Sequence, residues 1–304
     1  MNDEVSISRR SFLKKALAFC LGMAATAAAA GVYAGWGERF WVQLKRVALA
    51  FPSLPQEFHG MRIVQLSDIH LGHHLYNRHL EELIDRVNRL EADLFVFTGD
   101  LYDSRSDHEK QEEVVRLLGN IRAPLGKWAV LGNHDYWGYR RMMSAATVTS
   151  ILQQAGFQVL VNESRLVTRG QALIRIAGVD DMVHGEPDAV RALGPQAGGA
   201  NGARPFTLLL AHEPEFADIA AGYGADLQLS GHTHGGQVRL PFAGAVFLPE
   251  YGAKYVQGLH RIGPDDKQLL VYTNRGIGTT ILPVRFLCRP EATLFTLRRG
   301  PGRS

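Results

Sequence analysis

From about Phe40 onward, short apolar runs alternate with stretches in which apolar residues return every three or four positions. Runs of the first kind read as buried strands and stretches of the second kind as amphipathic helices. Residues 42–51 and 62–66 predict two early strands. Leu80, Leu83, Ile84, Val87 and Leu90 predict a helix over 79–90, followed by a strand over 94–97. Val114, Leu117, Leu118 and Ile121 mark a second helix, 128–131 a strand, and 142–154 a third helix. Further strands are predicted over 158–161, 173–178, 206–210 and 226–229, and from Gln237 the pattern predicts mainly strands and turns. The Gly-, Ala- and Asn-rich stretch 196–204 reads as a surface loop. No segment after Phe40 looks like an interdomain linker, and there is no internal repeat, so residues 37–304 are expected to form a single domain. Apolar strands alternating with helices predict an α/β fold built on a layered sheet.

The first 36 residues break this rhythm. A basic start with Arg9, Arg10, Lys14 and Lys15 leads into an apolar run, from Ala16 to about Ala34, dominated by small residues. Basic, then apolar, then small is the layout of a secretory signal. The stretch Ser8-Arg-Arg-Ser-Phe-Leu-Lys14 resembles the twin-arginine export signal. Ala28-Ala-Ala30 and Val32-Tyr-Ala34 offer cleavage sites, yet the run approaches the roughly 20 residues that span a bilayer. Both a cleaved signal and an uncleaved anchor fit. The expectation is export of the folded chain by the twin-arginine machinery to the periplasm or the outer face of the cytoplasmic membrane, with membrane association.

Composition narrows this picture a little. The chain is 46% hydrophobic and 21% charged, enough for a core. A net charge of +3, much of its excess lodged at the two ends, gives no reason to expect a nucleic-acid partner. Of the two cysteines, Cys20 lies in the apolar run, so no disulfide framework follows and Cys288 is expected to be a buried, inert thiol.

The chemistry lies where the strands end. Five of them run straight into polar clusters: Ser67-Asp-Ile-His70, Thr98-Gly-Asp100, Gly132-Asn-His-Asp135, Ala211-His-Glu-Pro214 and Ser230-Gly-His-Thr-His234. Ligands of open α/β sheets bind beyond the carboxyl ends of strands, so clusters distant in sequence can converge. Pooled, they offer Asp68, His70, Asp100, Asn133, His134, His212, His232 and His234. Carboxylates, imidazoles and an amide oxygen without a thiolate suit Mn²⁺, Fe or Zn²⁺ better than Ca²⁺ or Cu(I). So many donors fit two divalent metal ions sharing one carboxylate better than a single ion. Each fragment alone has a bland reading: Asp-x-His and Gly-Asp occur in ordinary turns, Gly-Asn-His-Asp can be a side-chain-capped loop, and a strand-end histidine such as His212 is commonly structural. The signal is all five in order, each closing an apolar strand, with Gly231-His-Thr-His-Gly-Gly236 the most specific.

In that order the clusters resemble the motif set of the calcineurin-like metallophosphoesterase superfamily. The sequences His232-Thr-His-Gly-Gly-Gln237, Arg239-Leu-Pro241, Gly258-Leu259, Arg275-Gly-Ile-Gly-Thr279 and Pro283-Val-Arg-Phe-Leu-Cys-Arg-Pro-Glu291 are similar to its bacterial exported phosphodiesterase subfamily. Relatives there include envelope phosphodiesterases and enzymes that cleave the pyrophosphate of UDP-diacylglucosamine. The resemblance implies a four-layer α/β/β/α sandwich, two mixed sheets flanked by helices, with the active site at strand C-terminal ends. It implies that Asp68, His70 and His234 hold a first metal, that Asn133, His212 and His232 hold a second, and that Asp100 bridges them. His134 would protonate the leaving oxygen and Asp103 would orient it. Mn²⁺ is the first expectation, with Fe or Zn²⁺ as alternatives. The implied reaction is hydrolysis of a phosphodiester or pyrophosphate, on a lipid headgroup or a UDP-diacylglucosamine-like envelope substrate, by in-line attack of a hydroxide bridging the metals.

The protein-phosphatase branch of the superfamily places an arginine where Ser104 stands and tends to have Glu where Asp135 stands, which speaks against a phosphoprotein substrate. A phosphomonoesterase or nucleotidase with the same centre is the alternative, and a membrane-tethered, non-catalytic metal-binding protein a third reading. His73, His74, Arg275, Tyr136, Trp137, Tyr251 and Tyr255 have no assigned role. Arg275, in a mobile-looking Gly-rich loop, could equally reach a substrate phosphate or lie at the surface.

Overall fold

Strand β3 (Leu94–Thr98) shows how the layers arise. Leu94 and Val96 point into one apolar core, Phe95 and Phe97 into another. A strand buried on both faces must stand between two layers, which is why its sequence is continuously apolar rather than alternating. The computed structural model describes residues 9–103, 110–136, 144–194, 204–264 and 268–301.

The first six-stranded sheet joins β3 to β1 (Gln43–Phe51), β2 (Arg62–Leu66), β4 (Lys127–Val130), β5 (Phe157–Val159) and the distant β14 (Glu291–Arg299), in the order β1-β14-β2-β3-β4-β5. Strands β2 to β5 are parallel, while β14 enters antiparallel to β2 and parallel to β1. The second six-stranded sheet comprises β6 (Glu163–Arg169), β7 (Ala172–Gly178), β8 (Thr207–Leu210), β9 (Leu227–Ser230), β12 (Gly258–Ile262) and β13 (Leu269–Thr273), in the order β12-β13-β9-β8-β7-β6. Its central strands β7, β8, β9 and β13 are parallel and its two edges antiparallel. A short hairpin, β10 (Arg239–Leu240) and β11 (Gly244–Ala245), stands apart.

The sheets pack face to face through Ile63, Val96, Trp128 and Phe295 on one side and Ile176, Leu208, Leu229 and Tyr272 on the other. Helices α2 (Asn77–Asn88), α3 (Gln111–Gly119) and, after the single-turn α4 (Asn133–Tyr136), α5 (Ala145–Gln154) cover the first sheet. The short α6 (Ala189–Leu193) and α7 (Ala217–Ala220) cover the second. This is the expected four-layer α/β/β/α sandwich. At the carboxyl ends of the strands the fully buried Gln65 amide joins the sheets, donating to Thr98 Oγ1 and to the Ser230 carbonyl, each at 3.0 Å.

The predicted strands and helices are present, with shifts of a residue or a few at their ends. Helix α5 starts at Ala145 behind the Ser144 cap, and residues 142–143 lie outside the described residues. So do Ser8, Ser104, Trp137, Arg303 and residues 196–203 of the expected loop. Strand β6 was not predicted: it is an edge strand in which only Ser164 and Val167 are buried, on opposite faces, too polar to read as apolar alternation. The N-terminal run forms helix α1 (Arg9–Val32), none of whose residues is buried. Residues Arg9–Phe40 are long and apolar enough to cross a membrane.

Candidate metal centre

The strand-end clusters turn sharply. Asp68, His70, Asp100, His232 and His234 all have left-handed backbone, with φ of 50°, 49°, 61°, 70° and 51°. Side-chain-bearing residues seldom adopt it, Asp and His more readily than most, and a group of them at one place is a mark of a functional site. The turns are tied to one another. The amide of Asp68 donates to the Gly99 carbonyl at 2.9 Å, that of Ile69 to the Asp100 carbonyl at 2.9 Å, and that of Gly231 to the His212 carbonyl at 3.0 Å. A Cβ on Gly231 would collide with Ser67 Oγ and Asp68 Oδ2, and one on Gly132 with Asp100 Oδ1 and the His212 ring. Glycine is required at both because side chains from other strands fill the space.

Every donor expected from the sequence is brought to one place. On one side, His70 Nε2 lies 3.0 Å from His234 Nε2, and His234 Nε2 lies 3.5 Å from Asp68 Oδ1. On the other, His232 Nδ1 lies 3.1 Å from Asn133 Oδ1. Between them, Asp100 Oδ2 stands 3.4 Å from His70 Nε2 and 3.3 Å from His212 Nε2. Asp100 Oδ1 accepts the His134 backbone N–H at 2.9 Å.

The hydrogen bonds at the back of His212 and His232 assign their tautomers. His212 Nδ1 donates to the Thr98 carbonyl at 2.6 Å, leaving a lone pair on Nε2, which has no hydrogen-bond partner among the described residues. His232 Nε2 donates to the Glu250 carbonyl at 2.7 Å, so its Nδ1 lone pair faces Asn133 Oδ1, itself an acceptor. Two acceptors facing each other at 3.1 Å are an arrangement that a cation between them would satisfy. Nitrogens each about 2.1 Å from one ion at a right angle stand about 3.0 Å apart, which is the spacing of His70 and His234.

Electrostatics divide the rings: burial would lower His70 and His212, but Asp103 and Asp100 raise the first and Asp100 raises the second well above its ordinary value. Burial and the neighbouring His212 push His232 down to about 4, and burial, His70 and Arg285 hold His234 well below its ordinary value. Both rings are therefore neutral; His232 presents its Nδ1 lone pair to the site, while the His234 Nδ1 faces Arg285 Nη2 at 3.3 Å. Burial also raises Asp68, with His212 drawing it back and Asp100 pushing it further up. Burial would raise Asp100 too, but the imidazoles of His212, His134 and His70 draw it well below the carboxylate range. Two buried carboxylates side by side make a charge arrangement that divalent cations relieve. The donor set fits the expected metals.

His134 differs from its neighbours. Its side chain is 23% exposed, against 0% for His70 and His212 and 5% for His234. Its Nδ1 is buried and 3.9 Å from Asp103 Oδ2. The same Asp103 oxygen lies 3.5 Å from His70 Nδ1, so Asp103 faces the backs of two rings, where the sequence suggested one.

Two acids escaped the sequence reading as site residues. Asp135 Oδ2 accepts the backbone N–H groups of Asp100 and Gly132 at 2.9 and 3.0 Å, and Oδ1 accepts that of Leu101 at 2.9 Å. It fastens the Asp100 turn to the Gly132 turn. Asp135→Asn sets an amide N–H against these donors and is expected to lower unfolding stability by about 1–3 kcal/mol, read from urea midpoints. Glu213, behind His212, places a carboxylate within 4.8 Å of the ligand nitrogens of His212 and His232. Its sequence signal, a Glu between His and Pro, is too common to select it.

Other undecided residues are packed. Arg275 does not extend into the cleft: Nε meets Glu291 Oε2 at 2.6 Å and Nη2 meets Gln43 Oε1 at 2.8 Å. Tyr136 bonds Asp180, and the buried Tyr255 donates to Asp218 at 2.7 Å. The His73 and His74 rings lie 4.8 Å apart, with His74 exposed. Cys288 is free and buried, its thiol 3.2 Å from the His234 carbonyl, and burial raises its pKa.

The calcineurin-like phosphoesterase family model matches residues 61–236. The chain belongs to the calcineurin-like phosphoesterase family. The matched span begins one residue before β2 and ends two past His234, so it contains every donor described above. Over 293 residues the chain is 37% identical to the metallophosphoesterase YkuE of Bacillus subtilis, covering 96% of this chain and 98% of that one. It is 30% identical to the phosphodiesterase YaeI of Escherichia coli, covering 96% and 99%. It is 29% identical to the UDP-2,3-diacylglucosamine pyrophosphatase LpxG of Chlamydia trachomatis, covering 85% and 91%. As a calcineurin-like phosphoesterase the protein is a metal-dependent phosphoric ester hydrolase, of a family that binds two divalent metals.

Proposed function

We propose that the protein is a phosphodiesterase in which Asp68, His70 and His234 hold one divalent cation, Asn133, His212 and His232 hold the other, and Asp100 bridges them. The observation that carries this is the position of Asp100 Oδ2, within 3.4 Å of a donor nitrogen on each side. The cations, Mn²⁺ first and Fe or Zn²⁺ next by donor type, supply Lewis acidity that lowers the pKa of water and offsets charge on phosphoryl oxygens. The chain's own residues do the rest. His134, the imidazole open to the cleft, donates a proton to the leaving oxygen from its exposed edge. Burial lowers this ring while Asp100 and Asp103 act against that, and Asp103 steadies the buried Nδ1–H.

A diester is favoured over a monoester by charge. Among the described residues, Arg275 and Arg285, in loops beside the centre, spend their guanidinium groups on protein acceptors, so neither offers a free fork to a second phosphoryl charge. YaeI is named a phosphodiesterase and LpxG a UDP-2,3-diacylglucosamine pyrophosphatase, which supports a lipid headgroup diester or a pyrophosphate-linked lipid precursor as the class of substrate. Arg9 and Arg10 would direct export by the twin-arginine route, with residues 1–36 as signal or anchor of a single catalytic domain spanning 37–304, facing the periplasm.

Full-length protein stripped of metal and reloaded with Mn²⁺ is expected to hydrolyse bis-p-nitrophenyl phosphate at least about tenfold more efficiently, in kcat/KM, than the monoester. Turnover of the monoester alone would remove the diester reading.

A further inference from the structure

Beside the metal centre the surface is apolar where a soluble protein would be polar. Leu240, Phe242, Val246 and Phe247, on and after the β10–β11 hairpin, are exposed, and so are Ile281 and Leu282 on the neighbouring turn. Clustered exposed side chains of this size mark an interaction surface. The two segments form one face: Arg239 N–H donates to the Phe286 carbonyl at 2.9 Å, Phe286 N–H to the Gln237 carbonyl at 3.0 Å, and the Gln237 amide to the Leu282 carbonyl at 2.8 Å.

What covers this face is indicated by where α1 leaves the body. The Arg285 N–H donates to the Ala34 carbonyl at 3.0 Å. The buried Glu38 carboxylate accepts the N–H groups of Leu287 and Cys288 at 2.9 and 2.6 Å, and Arg39 Nη1 donates to the Pro283 carbonyl at 3.1 Å. The membrane-length helix is thus bonded to the loop that carries Ile281 and Leu282. At the junction Trp36 and Trp41 are exposed, with Arg39 4.4 Å from the Phe40 ring centroid and Arg289 3.8 Å from that of Trp41. Tryptophans with arginines at the end of an apolar helix are the composition of a headgroup layer. A bilayer that takes up α1 therefore lies against this face already.

We infer that the β10–β11 hairpin and the turn at Ile281–Leu282 seat in the surface of the lipid bilayer that holds α1, so that the metal centre opens onto the headgroup layer. The hairpin follows His234 within a few residues, and a Cβ on Gly236 would collide with Ala245, so it lies directly against the His234 side of the centre. Resting on the phosphodiesterase reading, this makes the substrate a phosphate ester of a membrane-resident lipid, met at the bilayer surface.

The test uses the full chain with Cys20→Ser, so that the buried Cys288 is the native thiol that remains, in vesicles of phosphatidylethanolamine and phosphatidylglycerol. Nitroxide labels go on Phe242→Cys, on Leu282→Cys and on Arg298→Cys. Arg298 is exposed near the end of β14, which runs antiparallel to β2 and so ends far from the centre. Labels at 242 and 282 are expected to relax more with oxygen than with a water-soluble nickel chelate, and the label at 298 the reverse. Adding Phe247→Asp to the Leu282→Cys chain should move the label at 282 towards the chelate. A label at 242 as open to the chelate as the one at 298 overturns the inference, as does one shielded from both agents, which would mark a protein partner. Depth is read without turnover, so inactivity on diesters would remove the catalytic reading and leave this surface standing.

Discussion

An Asp100→Asn protein is expected to lose about a thousandfold or more in diester turnover and to hold fewer than the parent's two divalent cations. The substitution keeps shape. An asparagine can still accept the His134 N–H now bonded to Asp100 Oδ1 at 2.9 Å, so the turn is retained and far-ultraviolet circular dichroism should not change. What it removes is the charged oxygen standing 3.4 Å from His70 Nε2 and 3.3 Å from His212 Nε2. An amide nitrogen there points protons at both sets of lone pairs and leaves two cations with no anion between them. Their mutual repulsion then falls on the three remaining donors of each half. The measurements are kcat/KM on bis-p-nitrophenyl phosphate and elemental analysis of dialysed protein. A variant that keeps both its metals and a tenth of its activity would show that the centre is not bridged here.

The residues of this centre were legible because each follows a buried strand. An apolar run that stops at Asp, His or Asn leaves a polar side chain at the rim of a sheet, and both facts are present in the sequence of β2, β3, β4, β8 and β9. The helices of the first sheet were legible for a similar reason, since their buried residues recur at helical spacing. Other features have no such signature. The place of β14 between β1 and β2 is set by pairing partners almost the whole chain apart, which order along the sequence does not report. Asp135 works by accepting backbone N–H groups from the Asp100 turn and from Gly132 at the start of its own turn, and a backbone donor is the same at every residue. Asp103 was expected behind His134, yet it also stands behind His70, because two rings from different strands approach it. Glu38, two residues past the expected signal, had no assigned role and is buried against the loop that carries Cys288.

Arg285 is the strongest case of this kind, and Arg285→Ala is expected to destabilise the protein by about 3–5 kcal/mol. The side chain is fully buried, and burial lowers its pKa, with Cys288 and Asp68 opposing. Its guanidinium is nonetheless cationic, since arginine does not deprotonate in proteins. Its partners are carbonyls: Nε reaches Gly278 at 3.1 Å, Nη1 reaches Cys288 at 3.1 Å, and Nη2 reaches Arg275 at 2.8 Å and Gly278 at 2.7 Å. Truncation strands these buried acceptors together. The loop they belong to lies under the centre, with Gly278 N–H donating to the Asp68 carbonyl at 2.7 Å and Arg285 Nη2 lying 3.3 Å from His234 Nδ1. Loss of stability should therefore come with weaker Mn²⁺ binding. Arg285→Lys separates charge from geometry: an ammonium keeps the cation but cannot span carbonyls on both sides of a planar fork, so it should recover only part of the loss. Urea midpoints of the three proteins at equal slope give the ranking. Were the alanine variant to unfold with the parent, the loop would be held by its own backbone bonds, Ile277 N–H to the Ser67 carbonyl at 3.0 Å first among them, and the guanidinium would be filling space rather than fixing the floor of the site.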